Sequence, residues 1–208
     1  MTQRSKRAMA VIVTWSALLL LAKPAGSSEN SIETIAFVRH GEKPVTGLGQ
    51  LSCQGLNRAL VLPSIIAKVV GKPDFILAPD PSVQKKDAGT AYDYVRPLAT
   101  IEPTAISFGL PIHASIGVFD TDGLRTALEQ PQHRNAVILV AWEHEVIETT
   151  VRAILASYGG DVSGVPKWRG DDFDSIYVLT ISRTESATTA SFVLKHEALD
   201  GQPDICPH

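Results

Sequence analysis

Two histidines and two arginines stand next to segments with the apolar character of buried strands. Arg39–Glu42 (RHGE) follows the apolar run Thr34–Val38 directly, and Trp142–Glu145 (WEHE) follows the run Ala136–Val140 after one residue. Arg96 lies between them in the sequence, at the predicted start of a helix. Open α/β sheets bind ligands outside the carboxyl ends of their strands, so we expect these side chains to meet at one edge of a sheet.

These residue types suit the binding and transfer of a phosphoryl group. A guanidinium group binds phosphate oxygens through two parallel hydrogen bonds, so Arg39 and Arg96 could hold the group from two sides. A neutral imidazole is a nucleophile near neutral pH and forms covalent intermediates. Gly41 lets the backbone turn sharply and come close to the anion. The sequence therefore predicts a phosphoryl site that contains a histidine nucleophile.

Apolar runs alternate with helical patterns along the chain, which is typical of an α/β domain. Strands are predicted at 34–38, 74–78, 111–114 and 136–140, with an antiparallel pair at 175–182 and 188–196 near the sheet edge. Helices are predicted at 52–70, 96–108, 121–129 and 143–158, and residues 82–93 are predicted to be a loop. These elements predict a three-layer α/β/α sandwich with a mostly parallel central sheet and an antiparallel edge.

The first predicted helix begins at Ser52, which can cap it, and ends before Gly71. Pro63 is expected to bend this helix or to split it in two. The apolar residues expected to face inward are Leu56, Ala59, Leu60, Ile66 and Val70.

The first 27 residues have the pattern of a secretory signal peptide. A basic start is followed by the apolar run Ala8–Ala22 and by the small residues Ala25–Ser28. The apolar run is short for a membrane span, although an uncleaved anchor is the alternative. We therefore expect an exported protein, periplasmic or secreted, whose domain comprises residues 28–208 and which has no stable membrane association after cleavage.

Charge and cysteine content narrow the possible partners. Cleavage would remove four of the 19 basic residues and no acidic one, leaving 15 basic and 22 acidic residues and a formal net charge of −7. This balance argues against a nucleic acid partner. Cys53 and Cys206 either form a disulfide or remain one buried and one free thiol, and their spacing suits no metal site.

Four landmarks together resemble the histidine phosphatase superfamily, which is also called phosphoglycerate-mutase-like. The RHG triplet at the end of the first strand resembles the signature of that superfamily, and Leu51–Ala59 resembles the stretch that opens its first helix. Arg96 and His144 stand where the superfamily has its second arginine and second histidine. The landmarks follow in the expected order from residue 34 to about residue 155.

The resemblance implies a role for each matched residue. His40 would carry the phosphoryl group, while Arg39, Arg96 and His144 would bind the group and stabilise its charge. Glu145 resembles the acid that follows the second histidine in the acid phosphatase branch, so it is a candidate proton donor. Acids are also favoured in a first helical turn, so that role stays open for Glu145. Weaker donor candidates are Glu42, Asp80 and Glu143.

The chain also departs from the superfamily pattern. The serine doublet that often precedes the second arginine is absent, and residues 43–50 contain no counterpart of the additional arginine of the mutase branch. Lys43, or the pair Lys85 and Lys86, could compensate, although adjacent lysines are more often solvated. The side chains predicted to bind substrate are therefore Arg39, Arg96, Glu42 and Lys43.

The predicted function is hydrolysis of phosphomonoesters, with a small phosphorylated substrate or a phosphoprotein as partner and with no metal or cofactor. The alternative is a protein that binds a phosphorylated ligand without turning it over. A third alternative, suggested only by the two cysteines, is an interaction module of the cell envelope. The oligomeric state and the physiological substrate are left open by the sequence.

Overall fold

Eight strands and four α-helices make up most of residues 30–207, which the computed structural model of the protein describes. The signal peptide predicted at residues 1–27 lies outside the described residues. The strands are β1 (Ser31–Arg39), β2 (Phe75–Pro79), β3 (Gln84–Asp87), β4 (Thr90–Asp93), β5 (Ile112–Ile116), β6 (Val137–Trp142), β7 (Ser175–Arg183) and β8 (Thr188–His196). The helices are α1 (Cys53–Val69), α2 (Arg96–Phe108), α3 (Thr121–Leu128) and α4 (His144–Ser157).

Six of the strands form one mostly parallel sheet in the order β5-β2-β6-β1-β7-β8. Strands β5, β2, β6 and β1 are parallel to one another, whereas β7 is antiparallel to both β1 and β8. The predicted mostly parallel sheet with an antiparallel edge is therefore confirmed.

The sheet is covered by helices on both faces, because its central strands carry apolar side chains on both sides. Along β1, Ile35 and Phe37 belong to the core beneath α3 and α4, while Ala36 and Val38 belong to the core beneath α1 and α2. This alternation follows from the pleat of the strand, in which successive side chains point to opposite faces. The result is the predicted three-layer α/β/α sandwich.

Helix α1 begins as predicted and buries most of the predicted face, including Ala59 and Ile66. The Ser52 hydroxyl accepts a hydrogen bond from the Gly55 backbone N–H at 3.2 Å, which caps the helix, and the helix runs through Pro63 without a break. The prediction that Leu60 faces inward is wrong, because its side chain is 51% exposed. The buried stripe instead includes Arg58, whose charged side chain is completely covered.

The segment predicted to be a loop at 82–93 contains a β-hairpin. Strands β3 and β4 pair antiparallel, and Asp87 lies opposite Thr90 across a two-residue turn at Ala88 and Gly89. Both turn residues have positive φ angles, 49° and 89°, as a tight hairpin requires. Alanine is an uncommon residue at such a position, so the sequence carried no clear turn signal.

A disulfide joins Cys53, at the start of α1, to Cys206 in the C-terminal tail. The Asn57 side-chain amide donates to the carbonyls of Pro203 and Ile205, each at 2.8 Å, so the tail is held along the first turn of the helix. Within residues 30–207, none of the helices has the length and apolar character that crossing a membrane demands.

Candidate active site

The carboxyl ends of β1 and β6 bring the two histidine motifs together. Arg39 lies opposite Trp142 in the parallel register, and the His40 backbone N–H donates to the Trp142 carbonyl at 3.1 Å. The residues that follow these strands therefore emerge side by side at one edge of the sheet. This is the arrangement that the apolar runs predict.

His40 is buried, with 3% of its surface exposed, and its ring is fixed by one hydrogen bond. The ring Nδ1 lies 2.7 Å from the Gly41 carbonyl oxygen. A carbonyl can only accept, so Nδ1 carries the proton and Nε2 keeps its lone pair.

Charge and burial keep this histidine neutral. Burial is the largest cause that lowers the pKa of His40 well below its usual range. The positive charges of Arg39, Arg96 and Lys85 act in the same direction, while the bond to Gly41 opposes them in part. A neutral imidazole with a free Nε2 lone pair is the form that can act as a nucleophile.

The turn after His40 is held close to two helices, and two glycines make this possible. The Gly41 backbone N–H donates to the Thr100 hydroxyl of α2 at 2.9 Å. A Cβ at Gly41 would lie 3.0 Å from the Gly55 carbonyl oxygen, and a Cβ at Gly55 would overlap the backbone of Glu42. The Leu51–Ala59 motif therefore contributes a close backbone contact as well as a helix start.

Arg39 is oriented by the loop that precedes β7. Its Nη1 donates to the carbonyls of Gly170 and Asp172, both at 2.9 Å, and its Cζ lies 3.9 Å from the ring centroid of Phe173. The buried Nε of Arg39 has no hydrogen-bond partner among residues 30–207. The guanidinium group is thus fixed in place while one of its donors remains free.

Arg96 is the first residue of α2 and is only 2% exposed. Its Nη1 forms a short ion pair with the carboxylate of Asp87 from the β3–β4 hairpin, and its buried Nε has no partner in the described part of the chain. Lys43 Nζ lies 2.7 Å from the other oxygen of Asp87. Lys43, predicted to bind substrate, therefore contacts the same carboxylate as Arg96.

His144 begins α4 and lies beside Glu143, the residue that caps the helix. His144 Nδ1 is 2.8 Å from Glu143 Oε1, and Lys85 Nζ is 3.4 Å from the same oxygen. Burial alone would raise the pKa of Glu143, but the contacts with His144, Lys85 and the helix N–H groups lower it to about 2. Glu143 is therefore a carboxylate at neutral pH, whereas the side chain of Glu145 is exposed to solvent.

Glu42 points away from these groups and binds Arg58. Both carboxylate oxygens of Glu42 accept from Arg58, with distances between 2.7 and 3.1 Å. Arg58 is also within ion-pair distance of Glu197 (2.7 Å), Asp200 (2.9 Å) and Asp174 (3.7 Å). We call these five residues the Arg58 cluster, and its contacts tie Glu42, in the turn after His40, to Arg58 of α1.

Two side chains of the site, Asp87 and Tyr94, were not identified from the sequence, where Lys85 was named only as a possible substitute for a missing arginine. Lys85 and Asp87 come from the hairpin at 84–93, and Tyr94 follows it directly. The Tyr94 ring lies edge-on to His40, with 5.9 Å between ring centroids, and the Lys85 ammonium lies 5.3 Å from the Tyr94 centroid. The alternating pattern of a strand could have placed Lys85 in the site. No such pattern pointed to Asp87 or Tyr94.

The donors of the site suit an anion more than a metal. Across residues 30–207, no group of three or more histidine, cysteine, aspartate or glutamate side chains is arranged to hold a metal ion. The charged groups facing His40 are mainly cationic, namely Arg39, Arg96 and Lys85. Guanidinium and ammonium groups in this number favour a phosphate-like ligand.

Comparison with solved structures identifies the class of fold. No protein-family model and no curated protein sequence matches the chain. A protein described as the phosphohistidine phosphatase SixA from Nakamurella multipartitia superposes with a TM-score of 0.54 at 16% identity, covering 84% of this chain and 98% of its own. A mycobacterial glucosyl-3-phosphoglycerate phosphatase superposes with a TM-score of 0.51 at 12% identity, covering 78% of this chain and 97% of its own.

Both of these proteins are members of the histidine phosphatase superfamily. The chain therefore has the fold of that superfamily, as the order of its motifs indicates.

Proposed function

We propose that the protein is a phosphatase that forms a phosphohistidine at His40. The observation that carries this proposal is the state of His40: neutral, buried, with Nε2 free, and surrounded by the cations Arg39, Arg96 and Lys85. The fold shared with two phosphatases supports the same conclusion at the level of architecture. The substrate is a small phosphomonoester or a phosphorylated protein segment.

In the first step, Nε2 of His40 attacks phosphorus and the bond from phosphorus to the leaving oxygen breaks. Arg39 and Arg96 bind the non-bridging oxygens and stabilise the charge that spreads over them in the transition state. The unpartnered Nε groups of both arginines are available for this purpose. The leaving oxygen accepts a proton and departs as an alcohol.

In the second step, a water molecule attacks phosphorus of the phosphohistidine, and its proton passes to the carboxylate that protonated the leaving oxygen in the first step. The bond from Nε2 to phosphorus breaks, inorganic phosphate leaves, and the lone pair returns to Nε2. His144, beside the site and within reach of solvent, binds the same phosphoryl oxygens in both steps. His144 Nδ1 lies 2.8 Å from Glu143 Oε1, so the positive charge of a protonated His144 would be favoured there.

We propose Glu145 as the proton donor to the leaving oxygen. Glu143 is held as a carboxylate by His144 and Lys85, with a pKa of about 2, so it is a poor donor at neutral pH. Glu145 is exposed next to His144, and its charge opposes in small part the lowering of the Lys85 pKa that burial causes. Replacing Glu145 by Gln should slow substrates with poor leaving groups more than activated aryl phosphates, and an equal effect on both would contradict the role.

A second candidate function is binding of a phosphorylated ligand without turnover. It is favoured by one observation, the ion pairs that Asp87 forms with Arg96 and that Glu143 forms with Lys85. These carboxylates compete with a phosphate for the cations of the site. Retained phosphate affinity with no hydrolysis would support this second function.

We also propose that the protein is exported. The basic and apolar start of the sequence supports this, and so does the disulfide between Cys53 and Cys206, since disulfides persist in oxidising compartments.

The deciding experiment is release of phosphate from an aryl phosphate between about pH 4 and 8, with a chelator present. The wild-type protein is compared with His40→Ala and with a matched control, His113→Ala, which removes an exposed histidine of edge strand β5. Activity that His40→Ala loses and His113→Ala keeps supports the proposal. Equal rates in all three proteins, or no hydrolysis by the wild type, would contradict it.

A further inference from the structure

Tyr94 lies between the β3–β4 hairpin and the candidate site. Among the described residues it is the one large aromatic side chain whose buried hydroxyl has no hydrogen-bond partner. The residue is 1% exposed, and its Oη has no hydrogen-bond partner among residues 30–207. Buried hydroxyl groups are nearly always hydrogen-bonded, because burial without a partner is destabilising. Phenylalanine would fill the same space without that cost, so the hydroxyl needs an explanation.

The surroundings of Tyr94 show which kind of partner its hydroxyl would take. The Arg96 Cζ lies 4.9 Å from the centroid of the Tyr94 ring, the Lys85 ammonium lies 5.3 Å from it, and the His40 ring lies edge-on at 5.9 Å. Arginine and lysine can only donate hydrogen bonds, so neither offers an acceptor for the tyrosine proton. The lone pair of His40 Nε2 is not within hydrogen-bond distance of Tyr94 Oη, so an added ligand is the acceptor that the hydroxyl lacks.

Two other buried donors of the site share this property. Arg39 Nε and Arg96 Nε also have no partner within the described residues. The three unpartnered donors all belong to side chains that surround the nucleophile. A phosphoryl group has three non-bridging oxygens, so it can supply one acceptor to each donor.

We infer that Tyr94 is a substrate-binding residue whose hydroxyl donates a hydrogen bond to a non-bridging oxygen of the phosphoryl group on its way to His40. This inference rests on the phosphatase function proposed above and adds a neutral donor to the charged ones. The superfamily motifs found in the sequence do not include Tyr94.

The protonation state of Tyr94 agrees with a donor role. Burial raises the pKa of Tyr94 above its usual range, and the charge of Glu143 acts in the same direction, while Arg96 opposes both. The hydroxyl therefore keeps its proton throughout the pH range in which a phosphatase works. A neutral donor also adds a hydrogen bond without adding another cation beside His40.

The test compares wild-type protein with Tyr94→Phe and with the control Tyr158→Phe. Tyr158 ends α4, where its hydroxyl interacts with Glu129 and Arg183, two residues outside the candidate site. Three quantities are measured for each protein: the Kd for orthovanadate by calorimetry, kcat and KM for an aryl phosphate, and the Tm. Vanadate serves as the probe because it mimics the phosphoryl group during transfer.

For Tyr94→Phe we expect a Kd for vanadate that is weaker by about ten- to a hundred-fold, which is typical for loss of one hydrogen bond to an anion. The fall in kcat/KM should be similar and should lie mainly in kcat, because charge on the equatorial oxygens grows in the transition state. The Tm should stay unchanged or rise, because a buried hydroxyl without a partner is removed. Tyr158→Phe should leave vanadate affinity and kcat/KM at wild-type values.

Three results would overturn the inference in different ways. If the wild type is active and Tyr94→Phe matches it in both Kd and kcat/KM, the role of Tyr94 is excluded and the phosphatase proposal stands. A lower Tm with unchanged vanadate affinity would make Tyr94 a packing residue and also exclude its role. If the wild type neither binds vanadate nor hydrolyses the ester, the phosphatase proposal fails and the inference fails with it.

Discussion

Buried arginines lie on either side of the turn that follows β1, Arg58 on one side and Arg39 and Arg96 on the other. The hydrogen-bond donors of these arginines find partners to different degrees. Arg58 is completely buried and faces four carboxylates, those of Glu42, Asp174, Glu197 and Asp200. Arg39 and Arg96 are almost as deeply buried, but each keeps an Nε without a partner in the described part of the chain. Every nitrogen of the Arg58 guanidinium group has a carboxylate partner, whereas Arg39 and Arg96 have donors left over.

This difference separates a structural arginine from a ligand-binding one. A buried cation surrounded by carboxylates holds together the segments that carry those carboxylates. For Arg58 these are the turn after His40, the start of β7 and the C-terminal tail. A buried cation with spare donors retains a preference for an added anion, because leaving those donors unpaired is costly. Both kinds are arginine, so the residue type does not distinguish them. The number of hydrogen-bond acceptors around each guanidinium group does.

The largest effect we expect is on activity when Arg96 is replaced. Arg96→Met should lower kcat/KM by about 100- to 1000-fold, the range found when one donor to a transition-state anion is removed. Arg96→Lys keeps the charge but loses the bidentate geometry, so it should recover only part of the loss. Steady-state kinetics with an aryl phosphate measure both, and full activity in Arg96→Met would remove the distinction between the two groups of arginines.

Replacement of Arg58, the arginine surrounded by carboxylates, should affect stability. Arg58→Met leaves buried carboxylates without their cation, and we expect the free energy of unfolding to fall by about 3–5 kcal/mol. Urea denaturation followed by circular dichroism measures this, with Arg39→Met as the comparison. If Arg39→Met were as destabilising as Arg58→Met, the spare donors of Arg39 would not mark it as a ligand-binding residue.

The disulfide should contribute to the same anchoring of the tail. Replacing both Cys53 and Cys206 by Ser should lower the free energy of unfolding by about 2–4 kcal/mol, because the cross-link restricts the unfolded chain. Arg39 and Arg96 do not contact the tail, so vanadate affinity of the folded variant should be unchanged. A tenfold change in vanadate affinity would show that the tail also orders the catalytic turn.

A further expected effect is a pH dependence of stability that arises from Glu197. Burial raises the pKa of Glu197 to about 8, although Arg58 opposes this, and its Oε1 has no hydrogen-bond partner among residues 30–207. The folded state binds the Glu197 proton more tightly than the unfolded state does. The contribution of this proton to the free energy of unfolding is therefore full at pH values below the ordinary pKa near 4.5. It declines as the pH rises towards 8 and changes no further above that.

Glu197→Gln mimics the protonated side chain and removes this titration. The free energy of unfolding of the wild type should therefore decrease relative to the variant between about pH 5 and 8, by roughly 1 kcal/mol per pH unit at most. Denaturation series at several pH values provide the test. Parallel curves for the two proteins would show that Glu197 does not change its charge in this range.

The sequence predicted best those features that depend on residues within a single segment. The apolar runs before His40 and His144 are long and β-branched enough to predict two buried strands, and the rule for strand ends then predicts that the histidines meet. The Ser52 cap predicted the start of α1 for the same reason, since the cap is a local hydrogen bond.

Other features depend on contacts between distant segments and could not be predicted. The burial of Arg58 is possible only because its carboxylates come from residues 42, 174, 197 and 200, which are far apart in the chain. The hairpin was missed because Ala88 replaces the usual Asn or Asp of its turn. With the hairpin missed, Asp87 and Tyr94 were not identified as parts of the site, and Lys85 was named only as a possible substitute for a missing arginine.

The central claim is that His40 carries the phosphoryl group, and trapping the intermediate tests it most directly. The wild type and His40→Asn are mixed with an aryl phosphate, quenched rapidly in alkali, which preserves phosphohistidine, and digested for mass spectrometry. The account predicts one phosphoryl group on the wild-type peptide that contains His40, lost on treatment with acid, and none in His40→Asn. Hydrolysis that proceeds without a labelled His40, or a label on another residue, would contradict it.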